Sequence, residues 1–230
     1  MQGESCDISN KGNSCCSTST IPEKTNLKTH WNNAYSSSIN EHLGWFETDL
    51  SPSLNLIEKT NLNKAASILI VGGGTTQLVD ILVDKKYTNL TVTDISDVSL
   101  TNLKNRLGEV GKKVDYIVDD LLAPKDLKNI SPVDLWIDRA VLHFFTESSD
   151  QDTYFNLLKE KVQKGGYALL AEFNLNGAKK CSGLDVLRYD SNMLQEKLGK
   201  EFELIEAFDF DYTMPSGDLR PYIYTLFKKR

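Results

Sequence analysis

A chain of 230 residues, 40% hydrophobic and 25% charged, has the length and composition of one large α/β domain with a core of its own. Its net charge of −6, with no long basic stretch, sets aside unassisted binding to nucleic acid or to an anionic membrane, since both need clustered Lys and Arg. No run approaches the roughly 18 to 20 apolar residues of a membrane span, and the charged-then-apolar pattern of a secretory signal is missing. The cytoplasm is the expected location.

Residues 1–28 are rich in Ser, Thr, Asn and Cys, with little apolar periodicity. They read as a disordered tail, too poor in apolar area to offset the entropy of ordering. The folded domain is expected over 29–230. Cys6, Cys15 and Cys16 fall in the tail and Cys181 far beyond it, which is not the framework of a disulfide-rich secreted domain. Neither a CxxC pair nor neighbouring histidines supply four ligands for zinc, so no metal site is expected. Bulky side chains begin with His30, Trp31 and Tyr35, and Leu43-Gly44-Trp45-Phe46 reads as an aromatic lid or a packing patch.

From Ala65 onward strand-like and helix-like segments alternate. Ala66–Val71 is a short β-branched run closed by Gly72-Gly73-Gly74, and Gln77, Leu78, Ile81 and Leu82 follow at helical spacing. Leu90–Asp94 predicts a second strand and Ser99–Leu107 a helix. Val114–Val118 and Val133–Ile137 predict strands three and four. Tyr154–Val162 reads as an amphipathic helix stopped at Lys164-Gly165-Gly166, before the apolar strand Tyr167–Phe173. Phe202–Phe210 and Tyr222–Phe227 predict two last strands joined by the turn Met214-Pro215-Ser216-Gly217. Helices between the early strands and a hairpin at the end imply a mostly parallel sheet with an antiparallel edge.

The chemistry gathers at the first strand–helix junction. Glycines there let the backbone pass close to a ligand, and the helix behind them offers free N–H groups. Asp94 stands about twenty positions on, at the end of the next strand, where an acid can take both ribose hydroxyls. A glycine-rich turn by itself is equally well a structural device; the turn together with Asp94 favours a nucleoside ligand. The loop carries Thr76 where a dinucleotide fingerprint has its third glycine, and no Tyr/Lys pair for hydride chemistry is evident, which counts against a dehydrogenase.

In order, Ile68–Thr76, Val92–Ser96, Tyr116–Leu121, Asp134–Phe145 and Lys164–Phe173 resemble a class I methyltransferase dependent on S-adenosylmethionine (SAM), over roughly residues 30 to 230. The resemblance implies a Rossmann-like, seven-stranded, mostly parallel sheet with an antiparallel last strand and helices on both faces. It implies SAM as cofactor, held over the C-terminal ends of the first strands. Gly72 and Gly74 would approach its methionine part, within a loop that also includes Val71, Gly73 and Thr75. Asp94 would hold the ribose, Ile95 would pack on the adenine, and Asp120 with Leu121 would meet the adenine amino group. Arg139 would lie beside the methyl donor. Two positions before the first glycine the family has an acid, and this chain has Ile70.

On the acceptor side the expected residues are His143, Asp138, Tyr35 and Arg188. His143 is a candidate proton acceptor or a histidine fixed by packing at a helix start. Asp138 could anchor a charge or cap a helix, and Arg188 could bind an anion or form a surface ion pair. Cys181 borders the same region, as a small hydrophobe or a pocket residue. Tyr189-Asp190-Ser191, Leu194, Leu198-Gly199 and Phe202 look like the tail of small-molecule thiol methyltransferases. That likeness favours sulfide or a small thiol, nucleophiles that ionise near neutrality. Arsenite held by Cys6, Cys15 and Cys16, a protein side chain or another small molecule are the alternative acceptors, and a non-catalytic SAM-binding module is the rival class.

Overall fold

The structure, a computed structural model, describes residues 26–37 and 39–230. The expected tail, with Cys6, Cys15 and Cys16, lies outside these residues up to position 25. Helix α1 runs from Leu27 to Ser37, and the Asn26 side chain accepts from the Thr29 N–H at 3.0 Å at its start. Helix α2 spans Ser51–Lys59. The alternating part follows as β1 (Ser67–Val71), α3 (Leu78–Asp84), β2 (Asn89–Asp94), α4 (Asp97–Leu107), β3 (Val114–Val118), β4 (Val133–Arg139), α5 (Ser148–Lys161) and β5 (Val162–Phe173). A two-residue ladder, β6 (Lys180–Cys181) with β7 (Leu184–Asp185), precedes α6 (Ser191–Leu198), β8 (Phe202–Thr213) and β9 (Leu219–Lys229).

Seven strands form one sheet in the order β3-β2-β1-β4-β5-β9-β8. β1 to β5 pair in parallel, and β9 enters antiparallel between β5 and β8. The expected sheet is therefore present, with the antiparallel strand one place in from the edge. β1 explains why the parallel strands read as unbroken apolar runs. Ile68 and Ile70 face a core under α2, α3 and α4, while Leu69 and Val71 face a second core under α5 and α6. Chain order reverses between β1 and β4, so their C-terminal ends diverge into a crevice, the usual place for a ligand in open α/β sheets.

Local signals set the boundaries. Ser96 caps α4 by accepting from the Ser99 N–H, and Asp190 caps α6 by accepting from Met193. At the other end of the hairpin, Gly217 at φ +89° supplies the left-handed residue the β8–β9 turn requires. No helix among the described residues is long and apolar enough to cross a membrane.

Candidate functional site

Two adjoining cavities open at the crevice. The first, about 840 Å³ with its open mouth, is lined by Asp94 and Ile95 after β2, Asp120 and Leu121 after β3, Val141 and Phe144 after β4, and Trp31 from α1. The second, about 640 Å³, runs along the glycine turn past Ile70, Gly73 and Thr75 to Glu47. Tyr35, Trp45, Gly72 and Arg139 line both. Each is of a size that takes a small ligand.

The turn is built for close approach. Gly72 and Gly74 have φ of +54° and +51°, and a Cβ on them would stand 2.0 Å from Val141 Cγ2 and 2.2 Å from the Tyr35 hydroxyl oxygen. Val71, Gly73 and Thr75 are buried, and Val71, like Thr75, lines the second cavity. Asp94 ties the turn to β2: its Oδ2 accepts from the Gly74 N–H and its Oδ1 from the Ser96 N–H, both at 2.8 Å. A carboxylate has about four acceptor positions, so these bonds leave capacity toward the cavity. Burial raises Asp94 to about 6, against the lowering pull of the Ser96 and Gly74 amides. Asp119 accepts from the Lys125, Asp126 and Leu127 amides and so shapes the β3 loop, which sets Asp120 on the cavity wall.

Aromatic side chains form the roof. Trp31 meets Trp45 at 5.4 Å and Phe144 at 5.1 Å between ring centroids, and Tyr35 meets Trp45 at 5.6 Å. Within Leu43-Gly44-Trp45-Phe46, Trp45 packs in this aromatic group, and Leu43, Trp45 and Phe46 line the second cavity. α1 is fastened over the site by Asn32, which accepts from the Ser96 hydroxyl at 2.7 Å and donates to Asp97. Burial lifts the Tyr35 phenol well above its ordinary value, and Asp94 adds to the shift.

Arg139 connects this roof to the sheet. Its Nε lies 2.7 Å from Glu47 Oε1, its Nη1 donates to the Trp45 carbonyl, and the guanidinium sits 4.8 Å from the ring centres of both Tyr212 and Tyr222. Its Nη2 is buried and has no hydrogen-bond partner among the described residues.

Of the expected acceptor residues, only Tyr35 lines a cavity. His143 is fully buried, packed on Phe173 and Phe144, with Nδ1 at 2.9 Å from Glu172 Oε2 yet out of line for a hydrogen bond. This is the packed-histidine arrangement, not an open base. Asp138 is also fully buried; it accepts from the Val141 and Leu142 amides and from the Tyr154 hydroxyl at 2.5 Å. It caps the short turn after β4 instead of anchoring a ligand. Arg188 donates to the Leu175 carbonyl and lines neither cavity. Cys181 is a free, buried thiol on the first cavity.

Sequence reasoning passed over Glu47, Tyr154 and Glu172. Only Glu172 carried a signal, as a lone acid within the apolar strand 167–173. Among the described residues, no group of three or more His, Cys, Asp or Glu is placed to hold a metal ion.

No protein-family profile and no curated protein matches the chain. Solved structures do. A SAM-dependent methyltransferase from Anabaena variabilis superposes with a TM-score of 0.71 at 13% identity, covering 89% of this chain and 93% of its own. The chain has the class I methyltransferase fold. A protein solved in work on conversion of a disulfide bond into a thioacetal group during echinomycin biosynthesis shares it, with a TM-score of 0.69, 15% identity and coverage of 88% and 92%. So does 1,6-didemethyltoxoflavin-N1-methyltransferase from Burkholderia thailandensis, which carries its substrate and S-adenosylhomocysteine, at 0.61, 14%, 88% and 83%. Identities this low speak for the fold alone, and the methyltransferase fold hosts its chemistry in the site residues.

Proposed function

We propose that the chain is a SAM-dependent methyltransferase acting on sulfide or a small thiol. The observation that carries the reading is Asp94, which lines the first cavity and is joined through the Gly74 amide to a glycine turn that a Cβ would block, with Gly72 lining both cavities. Asp94 suits the ribose hydroxyls, Ile95 and Leu121 the adenine faces, Asp120 the adenine amino group, and Gly72 to Thr75 the methionine end. Two of the structural neighbours act by name as methyltransferases, and the N1-methyltransferase binds S-adenosylhomocysteine.

When bound, SAM supplies an electrophilic methyl group, so the protein has to orient the acceptor in line and exclude water. Tyr35, Trp31, Trp45 and Phe144 do the second task by roofing the first cavity. The make-up of that wall among the described residues supports a sulfur acceptor. Its titratable side chains are Tyr35, Asp94, Asp119, Asp120, Arg139 and Cys181. The phenol is held protonated, Arg139 is paired, Asp119 is spent on backbone amides, and His143 lies behind the wall. A hydroxyl acceptor needs a base to take its proton, whereas a thiol or sulfide reaches its anion near neutral pH without one. The neighbour solved in work on conversion of a disulfide bond into a thioacetal group is a further pointer to sulfur.

Mass spectrometry of volatile and soluble products, after incubation with SAM and a panel of sulfide, small thiols, arsenite, amines and phenols, tests this. Methylated sulfide or thiol is the expected product. Product from nitrogen or oxygen acceptors alone would end the sulfur assignment.

A further inference from the structure

The second cavity holds a charge pair that the nucleoside site does not need. Glu47 and Arg139 are the charged residues of its lining among the described residues, and their side chains are 10% and 11% exposed. Burying such a pair costs desolvation that mutual attraction only partly returns. Here the pair leaves a further donor, Arg139 Nη2, buried and unsatisfied. The chamber's position adds the constraint. A ligand with its ribose at Asp94 that extends past Gly72 and Arg139, two of the four residues lining both cavities, would end beside Glu47 and Ile70. Ile70 can offer that end only apolar surface.

We infer that Glu47 and Arg139 form the recognition site for a zwitterionic α-amino-acid group, Glu47 receiving the α-ammonium and Arg139 Nη2 donating to the α-carboxylate. Alternating the four charges satisfies the orphaned donor and gives Glu47 a second cation. Burial pushes the Glu47 carboxyl above its ordinary value in spite of Arg139, so another positive group within reach is favoured. The site rests on the SAM reading, since the methionine end of SAM is such a group. It assigns the ammonium contact to the segment before α2 instead of to the end of β1.

Calorimetry on the full chain with three ligands separates this role from a structural one: S-adenosylhomocysteine, its analogue lacking the amino group, and 5′-methylthioadenosine, which lacks the whole amino-acid end. Wild-type protein should bind S-adenosylhomocysteine about ten- to a hundred-fold tighter than the deamino analogue. In Glu47→Gln that gap should collapse to about threefold or less, while methylthioadenosine affinity stays within about twofold. A gap that survives in Glu47→Gln overturns the assignment and leaves the SAM reading intact. Loss of methylthioadenosine along with the other two overturns it in favour of a purely structural pair. Failure of the wild type to bind any of the three removes the SAM reading itself, and this inference with it.

Discussion

Asp94 works at two levels, bracing the glycine turn and facing the cavity, and its titration ties them together. Its carboxyl is raised by burial from 3.8 to about 6. Between those values the folded chain holds a proton that the unfolded chain has released, so Asp94's contribution to stability is present below about pH 4 and is lost as pH rises through 6. Ligand binding runs the other way, because ribose hydroxyls donate to the carboxylate form. Affinity for S-adenosylhomocysteine should therefore rise between pH 5 and pH 7, by roughly tenfold for a shift of this size. Calorimetry across that range checks it, and Asp94→Asn should flatten the profile. The tight glycine turn and the acid on the cavity wall beside it were legible in the sequence because backbone approach and a spaced acid are local properties. The acceptor side was not. His143 and Asp138 have catalytic side chains, and only the tertiary packing of Phe173, Tyr154 and Glu172 around them shows that they are walled off.

Among the elements, the β4 end and β5 carry a buried acidic pair beneath the cavity wall. Burial and the neighbouring Glu172 raise Asp138, and burial raises Glu172 to about 8. Glu172 accepts from the His143 amide, and Asp138 from the Val141 and Leu142 amides, so both groups fix the turn that presents Val141 and Phe144 to the cavity. A carboxyl raised in the folded state destabilises it once ionised. The Glu172 contribution is thus lost as pH climbs from about 4.5 to about 8. Glu172→Gln should melt higher than wild type at pH 8.5 and nearly equally at pH 5; thermal melts at the two values decide it. At the first turn, Gly72→Ala puts a Cβ into Val141 at a left-handed φ. It should cost about 2 kcal/mol or more in denaturant unfolding. Strands β1 to β5 stood out in the sequence because apolar runs, Gly punctuation and length agree. α2 did not, although Asp49 accepts from the Ser51 amide and Pro52 opens the helix. Its apolar face, Leu56 and Ile57, is short and acquires meaning only against the sheet.

In the molecule as a whole, the reversal of chain order between β1 and β4 opens a crevice roofed by α1 and by Leu43, Trp45 and Phe46, which under the proposed function takes an adenosyl ligand. A ligand that binds only the folded chain stabilises it by mass action, about 2.7 kcal/mol at a hundred times its Kd. For a chain of this size that corresponds to a rise in Tm of roughly 5–10 °C with S-adenosylhomocysteine, and to a far smaller one with homocysteine alone. The succession of strands along the chain was readable from the sequence, and Leu43–Phe46 was read as a lid or a packing patch; which strands that segment reaches was not, because its contacts, Arg139 to the Trp45 carbonyl and Tyr212 to the Gly44 and Phe46 carbonyls, join distant parts of the chain. The most direct test is calorimetric titration of S-adenosylhomocysteine into wild type and Asp94→Ala. Binding by the wild type, weakened by about 1.5–3 kcal/mol in the variant as for a lost charge-assisted hydrogen bond, is the result the account predicts. Equal affinity in both proteins, or no binding in either, would contradict it.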